Sequence, residues 1–157
     1  MKWRYAQHLY HSLGELWLTR DDAVQALWCA EACLELAVST SSRKNLVKGW
    51  RLQGQAYCHQ RRLPEAEAAL QQALTLAREI GNPPQLWQTY QALGQLFERL
   101  GHRDQVRSAY ASALRVIDAV AKRLQDQELK RIFLAAKPVK ELRQGDRRLG
   151  KGRARSR

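Results

Sequence analysis

The sequence predicts an all-α fold, a right-handed α-solenoid of three helix-turn-helix repeats followed by a C-terminal capping helix. The first observation behind this prediction is a recurring glycine, because Gly14, Gly54 and Gly94 are separated by steps of 40 residues. The second is that aromatic residues stand four positions before and three positions after each of these glycines. A constant period of this length is typical of stacked repeats, in which each unit buries its apolar face against the next one.

Each repeat is predicted to begin with a helix that carries the glycine and its two aromatic neighbours. Their spacing of i, i+4 and i+7 places the three side chains on one helix face. The matching residues are Tyr10, Gly14 and Trp17 in repeat 1 (about 5–44), Trp50, Gly54 and Tyr57 in repeat 2 (about 45–84), and Tyr90, Gly94 and Phe97 in repeat 3 (about 85–124).

The second helix of each repeat is predicted from residues that start or stop helices. Asp21 or Asp22 is suited to cap a helix start, Pro64 suits a first helical turn, and Gly101 suits a helix end. After these signals, each predicted second helix carries small residues followed by leucine. The second helices are therefore expected over about 23–38, 64–79 and 103–122.

The recurring glycine has a packing explanation. A residue without a side chain costs about 0.5–1 kcal/mol inside a helix relative to alanine, but it lets a neighbouring helix approach closely. Burial of large apolar side chains, at about 25 cal/mol per Å², exceeds that cost. We expect Gly54, together with Ala66, to leave room that Trp50, Tyr57 and Leu70 fill.

This arrangement resembles the tetratricopeptide repeat. Its period of 40 residues is longer than the usual 34 of that family, and the proline that commonly ends the second helix is absent. The long-period form is similar to arrays at the C-terminal ends of large bacterial signalling ATPases, cyclases and transcriptional regulators. Repeat 2 carries the resemblance most completely, through Trp50, Gly54, Tyr57, Ala66, Leu70 and Ala73.

The resemblance implies a protein–protein interaction module whose first helices line a concave groove for a peptide or helix of a partner. Lys48, Arg51 and Arg99 are expected to favour carboxylates, and the glutamines are expected to hydrogen-bond a peptide backbone. The alternative interpretation is an ordinary solvated polar face. The groove positions are His8, His11, Lys48, Arg51, Gln55, His59, Gln88, Gln91, Gln95 and Arg99, with Glu15 and Thr19 beside them.

The sequence contains no motif that indicates catalysis. It has no glycine-rich phosphate loop, no nucleophile elbow and no carboxylate pair with an evident cleft, so we predict a protein that is not an enzyme and needs no cofactor. Cys29 and Cys33 with His8 and His11 have the residue types of a zinc site. Cys33 occupies a core position of its repeat, however, so burial explains the cysteines better and no metal is expected.

The two ends of the array are predicted to differ. A capping helix over about 126–143, with Asp126 as its N-cap, is expected to cover the last repeat. The first helix carries an apolar stripe, Leu9, Leu13 and Leu16, that nothing in the sequence covers. A partner, a second copy in a homodimer, or an upstream repeat are the alternatives for covering it.

Charge is concentrated near the C-terminus. The net charge of the chain is +12, and residues 137–157 hold nine basic and two acidic residues. Residues 145–157 are therefore predicted to form a basic disordered tail, with nucleic acid, an acidic protein or a lipid surface as alternative partners. The sequence shows no membrane span and no signal peptide, so a cytoplasmic location is expected.

Overall fold

The computed structural model describes the backbone of residues 2–154 and the side chains of residues 5–149. This part of the chain is helical and contains no strand, which confirms the all-α class with three helix pairs. None of its helices combines the length and the hydropathy needed to cross a lipid bilayer. The helices are α1 (Lys2–Thr19), α2 (Ala23–Ser39), α3 (Arg43–His59), α4 (Leu63–Ile80), α5 (Pro83–Leu100), α6 (Arg103–Arg123), α7 (Gln127–Ala135) and α8 (Lys137–Ala154).

The turns between the first six helices explain the length of the period. A residue with left-handed backbone geometry recurs every 20 positions, with φ angles from 50° to 74° at Asp21, Ser41, Arg61, Gly81 and Gly101. After most of these residues, the next N–H donates to the carbonyl five residues earlier at 2.8–3.0 Å, which closes the helix end. Each helix with its turn thus takes 20 residues, and two of them make one repeat.

Capping side chains fix where several helices begin. The Asp22 carboxylate accepts a hydrogen bond from the Gln25 N–H at 3.0 Å, so Asp22 rather than Asp21 caps α2. Pro64 lies in the first turn of α4, where its missing N–H costs nothing. The Asp126 carboxylate accepts from the Leu129 N–H at 3.0 Å at the start of α7, as the sequence predicts.

The chain divides into two compact units, Met1–Gln85 (unit 1) and Leu86–Arg157 (unit 2). In unit 1 each helix packs against the next, α1 on α2, α2 on α3 and α3 on α4, and the first helices α1 and α3 also touch each other. This is the packing order of stacked helical repeats. In unit 2, α8 packs against both α6 and α7.

Glycines allow close helix packing in unit 1, although not with all the expected partners. A Cβ built on Gly54 would lie 2.6 Å from Leu70 Cγ, so Leu70 fills the space as expected. Trp50 and Tyr57, which were also expected there, are half-buried and are not among the nearest neighbours of Gly54. In repeat 1 the position of Leu70 holds only an alanine, and a leucine from α3 lies against Gly14 instead.

Unit 2 holds a tyrosine ring between two glycines. A Cβ on Gly94 would overlap the Tyr110 ring, with Cδ1 at 2.6 Å, and a Cβ on Gly145 would lie 2.9 Å from Cε2 of the same ring. Tyr110 is buried together with Ile117 of α6 and Leu142 of α8. The glycine of the third repeat therefore leaves room for an aromatic ring.

The second aromatic of each motif lies half-buried near the end of its first helix. The Arg62 guanidinium stands 4.5 Å from the centre of the Tyr57 ring, and His102 stacks on Phe97 with ring centres 6.5 Å apart. Arg20 lies 5.8 Å from the Trp17 ring. These contacts cover the exposed side of each ring with a polar group from the following turn or helix.

The C-terminal part differs from the prediction of one capping helix and a disordered tail from residue 145. The structure has two helices there, α7 and α8, and α8 continues to Ala154. Val139 and Leu142 are buried, and Leu149 packs against the same cluster, so an apolar stripe continues past the predicted boundary. Gly145 lets that stripe approach Tyr110. Residues 155–157 of the predicted tail lie outside the described residues.

Candidate functional site

The first helices of unit 1 place the predicted groove residues of α1 and α3 side by side. His8 and Lys48 occupy equivalent positions of repeats 1 and 2, and Lys48 Nζ lies 3.4 Å from His8 Nδ1. His11 and Arg51 are the equivalent pair one helical turn further along. We call these four residues, His8, His11, Lys48 and Arg51, the positive face.

Arg51 differs from the sequence prediction, because it is buried rather than exposed on a groove. Only 3% of the residue is accessible to solvent, and its Nη1 donates to Gln85 Oε1 at 2.8 Å. No carboxylate of the described residues forms an ion pair with it. A guanidinium is buried here against a neutral amide, and its charge is only partly compensated, by the attraction of Glu15.

The Gln85 side chain is placed by the turn before α5. Asn82 Oδ1 accepts a hydrogen bond from the Gln85 N–H at 3.2 Å, which fixes the first turn of the helix. Gln85 is itself 97% buried, since its accessible fraction is 3%. Burial of this amide against Arg51 explains why the arginine does not extend to solvent.

The charge of Arg51 acts on the titratable groups around it. Burial, with smaller effects from Arg51, Lys48 and His8, lowers the pKa of His11 to about 3. Burial also lowers the pKa of Lys48, with Lys44 and Arg51 adding to the effect. Burial lowers the pKa of Arg51 itself to about 10, so it stays charged at neutral pH. The positive face therefore carries a positive potential from Arg51 and Lys48, while His11 is neutral.

One carboxylate borders the positive face. Glu15 Oε2 lies 3.6 Å from His11 Nδ1, one turn along α1. Burial raises the pKa of Glu15, whereas Arg51 and Lys48 lower it. More than half of the Glu15 side chain is exposed, so water screens its charge, and Glu15 offsets only part of the effect of burial on the pKa of Arg51.

The remaining predicted residues of unit 1 lie further along α3. His59 is half-buried, and its Nδ1 lies 2.9 Å from Asp21 Oδ1 of the first turn. Gln55 is half-buried between these residues and Arg51 along the helix. His59 thus joins α3 to the turn after α1 rather than extending the positive face.

In unit 2 the predicted groove residues lie along α5. Gln88 and Gln91 are half-buried, whereas Gln95 and Arg99 are exposed. Gln91 occupies the position that His11 and Arg51 hold in the earlier repeats. This row of positions thus loses its charge from repeat 2 to repeat 3.

Unit 1 contains a buried polar network that the repeat pattern does not predict. Gln7 Nε2 donates to the Leu36 carbonyl at 2.8 Å and to Thr40 Oγ1 at 2.6 Å, and Asn45 Nδ2 donates to Gln7 Oε1. Asn45 Nδ2 also donates to Ser42 Oγ at 2.9 Å. The signal was an amide that recurs at a step of 40, because Asn45 and Gln85 occupy equivalent positions and both are buried.

The cysteines belong to the core of unit 1. Cys29 and Cys33 have no accessible surface, and Cys33 Sγ lies 3.8 Å from the Gln7 carbonyl oxygen. Burial raises the pKa of the Cys33 thiol to about 11. His8, in contrast, is exposed on the positive face. The four residues that resemble a zinc set in sequence are thus divided between the core and the surface.

A separate open cleft of about 530 Å³ lies on unit 1 beside Trp50. Its other walls come from α4, among them Ala68, Leu76 and Glu79. In repeat 1 the position of Ala68 holds Trp28, whose ring meets Tyr10 edge-on with ring centres 5.5 Å apart. The cleft exists where the small alanine replaces that indole.

Comparison with known families identifies the repeat. Residues 45–119 match the family model described as Tetratricopeptide repeat, which covers repeat 2 and most of repeat 3. A search of curated proteins finds no match to the chain. Tetratricopeptide repeats generally mediate protein–protein interaction and are typically non-catalytic. Residues 45–119 therefore belong to the tetratricopeptide repeat family.

Proposed function

We propose that this chain is a protein-interaction module and that its positive face binds an acidic peptide or helix of a partner protein. The observation that carries the proposal is a guanidinium, Arg51, that is buried against a neutral amide and forms no ion pair with any described carboxylate, next to the partly accessible Lys48. A partner carboxylate at this place gains attraction from both cations. It also adds to the partial compensation that Glu15 gives to the buried charge.

The two cations have different roles in this proposal. Lys48 is half-buried and reaches the surface, so its ammonium group contacts the carboxylate directly. Arg51 lies beneath the surface and raises the local positive potential without leaving Gln85. Within unit 2, taken by itself, the glutamines of α5 and Arg99 are proposed to make polar contacts to a peptide backbone.

Reversal of the charge at Lys48 is expected to weaken binding of an acidic peptide about tenfold or more. The measurement is fluorescence anisotropy of a labelled glutamate-rich peptide, with a glutamine-rich peptide of equal length as the neutral comparison. Wild type should bind the first peptide more tightly, and the difference should fall as salt is added.

A matched variant controls for net charge. Lys122→Glu makes the same charge change at an exposed position of α6, and it should leave the affinity close to that of wild type. Equal losses in Lys48→Glu and Lys122→Glu would show that only the total charge matters. No preference of wild type for glutamate over glutamine would reject the positive face as a binding surface.

The wider setting is also a proposal. Similarity to long-period arrays of bacterial signalling ATPases, cyclases and transcriptional regulators supports a role in a bacterial regulatory or signalling system, as a non-enzymatic module. Three cysteines, Cys29, Cys33 and Cys58, are buried thiols without a disulfide, which is compatible with the reducing cytoplasm.

A second candidate function, association with nucleic acid, is favoured by the geometry of α8. Lys140, Arg147 and Arg148 are exposed, and their spacing of seven and eight residues puts them on one side of the helix. Arg143 is instead paired with Asp118, at 3.2 Å. These three residues thus form a basic ridge, in which charged groups about two turns apart can contact phosphates.

Neutralising this ridge tests the second function without removing packing residues. Replacement of Lys140, Arg147 and Arg148 by glutamine should reduce the slope of log affinity against log salt for a duplex oligonucleotide by about 2–3. The control neutralises Arg20, Lys44 and Arg61 in unit 1, which are equally exposed. If both triple variants keep the wild-type slope, α8 does not bind phosphates.

A further inference from the structure

Helix α1 carries an exposed stripe whose equivalents in the other repeats are buried. The stripe consists of Tyr5, Leu9, Ser12 and Leu16, and the three large side chains are 46–75% exposed. Leu13, which the sequence analysis had included, points instead into the cluster of Cys29 and Leu52. At the equivalent positions of repeats 2 and 3 every residue is buried: Asn45, Gly49, Leu52, Ala56, Gln85, Thr89, Ala92 and Leu96.

Repeat 2 shows what covers this stripe. Leu52 of α3 packs against Gly14 of α1 and Cys29 of α2. A Cβ on Gly14 would overlap the Leu52 side chain. Gly49 lies against Leu34 of α2, and a Cβ on it would come within 2.7 Å of Leu34 Cγ. The stripe of repeat 2 is thus covered by α1 and α2, whereas the stripe of α1 is exposed among the described residues.

We propose that the stripe of α1 is covered by the same stripe of a second copy, in a twofold symmetric, antiparallel α1–α1 contact. The four positions are separated by intervals of four, three and four residues, which is the spacing of residues in a helix–helix contact. In an antiparallel pair, Leu9 of one copy lies beside the small Ser12 of the other, and Tyr5 lies beside Leu16. Large side chains therefore meet small ones at the centre of the contact.

Charge and the rest of the fold favour the second copy as the occupant. His8 and Glu15 flank the stripe on the same side, and the antiparallel arrangement brings His8 of one copy near Glu15 of the other. In unit 2, Val139 and Leu142 of α8 cover the apolar cluster of α6, so that cluster is not open to the stripe of another copy. A twofold axis uses the same surface on both copies, so the contact forms a closed dimer and does not propagate.

Self-association of the full chain tests the proposal. Sedimentation velocity across a dilution series should show a monomer–dimer equilibrium. Leu9→Glu should raise the dimer dissociation constant about tenfold or more, because it places two charges at the centre of the contact. Val38→Glu is the matched control, because Val38 is 67% exposed on α2 outside the stripe, and it should leave the dimer intact.

Disulfide cross-linking tests the orientation. A mixture of chains carrying Leu9→Cys and chains carrying Ser12→Cys should cross-link more completely than Leu9→Cys chains alone, whereas a parallel contact gives the opposite order. The native thiols are buried and do not compete. A monomer at every concentration overturns the proposal, as does a Leu9→Glu variant that dimerises like wild type. Retained binding of the glutamate-rich peptide by Leu9→Glu separates this result from the proposed function.

Discussion

Gly94→Ala is expected to destabilise the chain by about 2 kcal/mol, although alanine is the better helix former by about 1 kcal/mol. The added Cβ would overlap the Tyr110 ring of α6. The ring cannot move aside freely, because Gly145 of α8 lies against its opposite edge. A Cβ built on Gly145 would be only 2.9 Å from Cε2 of the ring. Alanine therefore forces the helices of unit 2 apart and costs part of the cluster around Tyr110.

The matched test is a double-mutant cycle with Tyr110→Leu, since Leu70 occupies the equivalent position of repeat 2. In that background Gly94→Ala should be neutral or stabilising, because a flexible leucine gives way and the helix preference of alanine remains. Tyr110→Phe keeps the ring and removes the hydroxyl, so it should preserve the penalty. Urea denaturation gives the free energies of unfolding. A full penalty in the Tyr110→Leu background would contradict the packing explanation.

Lowering the pH from about 7.5 to about 5 is expected to cost about 2 kcal/mol of stability through His11 alone, and on the order of 4 kcal/mol by about pH 3. The pKa of His11 is depressed from 6.5 in the unfolded chain to about 3 in the folded one, first by burial and then by Arg51, Lys48 and His8. Between these values the unfolded chain binds a proton that the folded chain does not.

The sign follows from this difference in bound protons. The contribution of His11 is fully present above pH 6.5 and is lost as the pH falls towards about 3. The neighbouring Glu15 at 3.6 Å does not reverse this effect, because burial and three nearby basic groups outweigh one exposed carboxylate.

His11→Gln isolates the effect, because glutamine occupies the equivalent position 91 of repeat 3. Urea denaturation at several pH values should show that the wild-type stability falls more steeply below pH 6.5 than that of the variant. The difference in slope removes the contributions of the other histidines and of the carboxylates. Parallel pH profiles for the two proteins would contradict a buried, neutral His11.

The fold could be predicted because it rests on local patterns repeated three times. In every repeat, a large side chain of a neighbouring helix packs against the recurring glycine and occupies the space that a Cβ would need. These side chains are Leu52, Leu70 and Tyr110. The exact partner was less predictable. The partner is a residue of the second helix in the same repeat, Leu70 or Tyr110, or a residue of the first helix in the next repeat, Leu52. In repeat 1 the second helix offers only Ala30, which is too small to fill the space.

The C-terminal helix was missed for a compositional reason. Residues 145–157 are rich in arginine and glycine, which is typical of segments that cannot bury apolar surface. Leu149, however, continues the stripe of Val139 and Leu142 at helical spacing, and Gly145 is a contact residue rather than a flexible one. The helical spacing of apolar residues, which continues into this charged segment, was the signal for the helix. The composition of the segment alone does not indicate it.

The candidate site follows only in part from the repeat pattern. Helix periodicity predicts that His8, His11, Lys48 and Arg51 share a face at a step of 40, and in the structure His8 lies beside Lys48 while Arg51 and Lys48 act on His11. It did not show that Arg51 is buried, because that depends on Gln85, which lies 34 residues away and approaches through the turn before α5. Partner residues at such a distance are set by tertiary packing.

The measurement that tests the positive face most directly is the pKa of His11, followed by NMR with and without the glutamate-rich peptide. Without the peptide, the burial of His11, together with Arg51, Lys48 and His8, should hold this pKa at about 3. A bound carboxylate near Arg51 and Lys48 should raise it towards 6.5, while the glutamine-rich peptide should leave it unchanged. A His11 that titrates near 6.5 in the free chain, or a pKa that the acidic peptide does not move, would contradict the account.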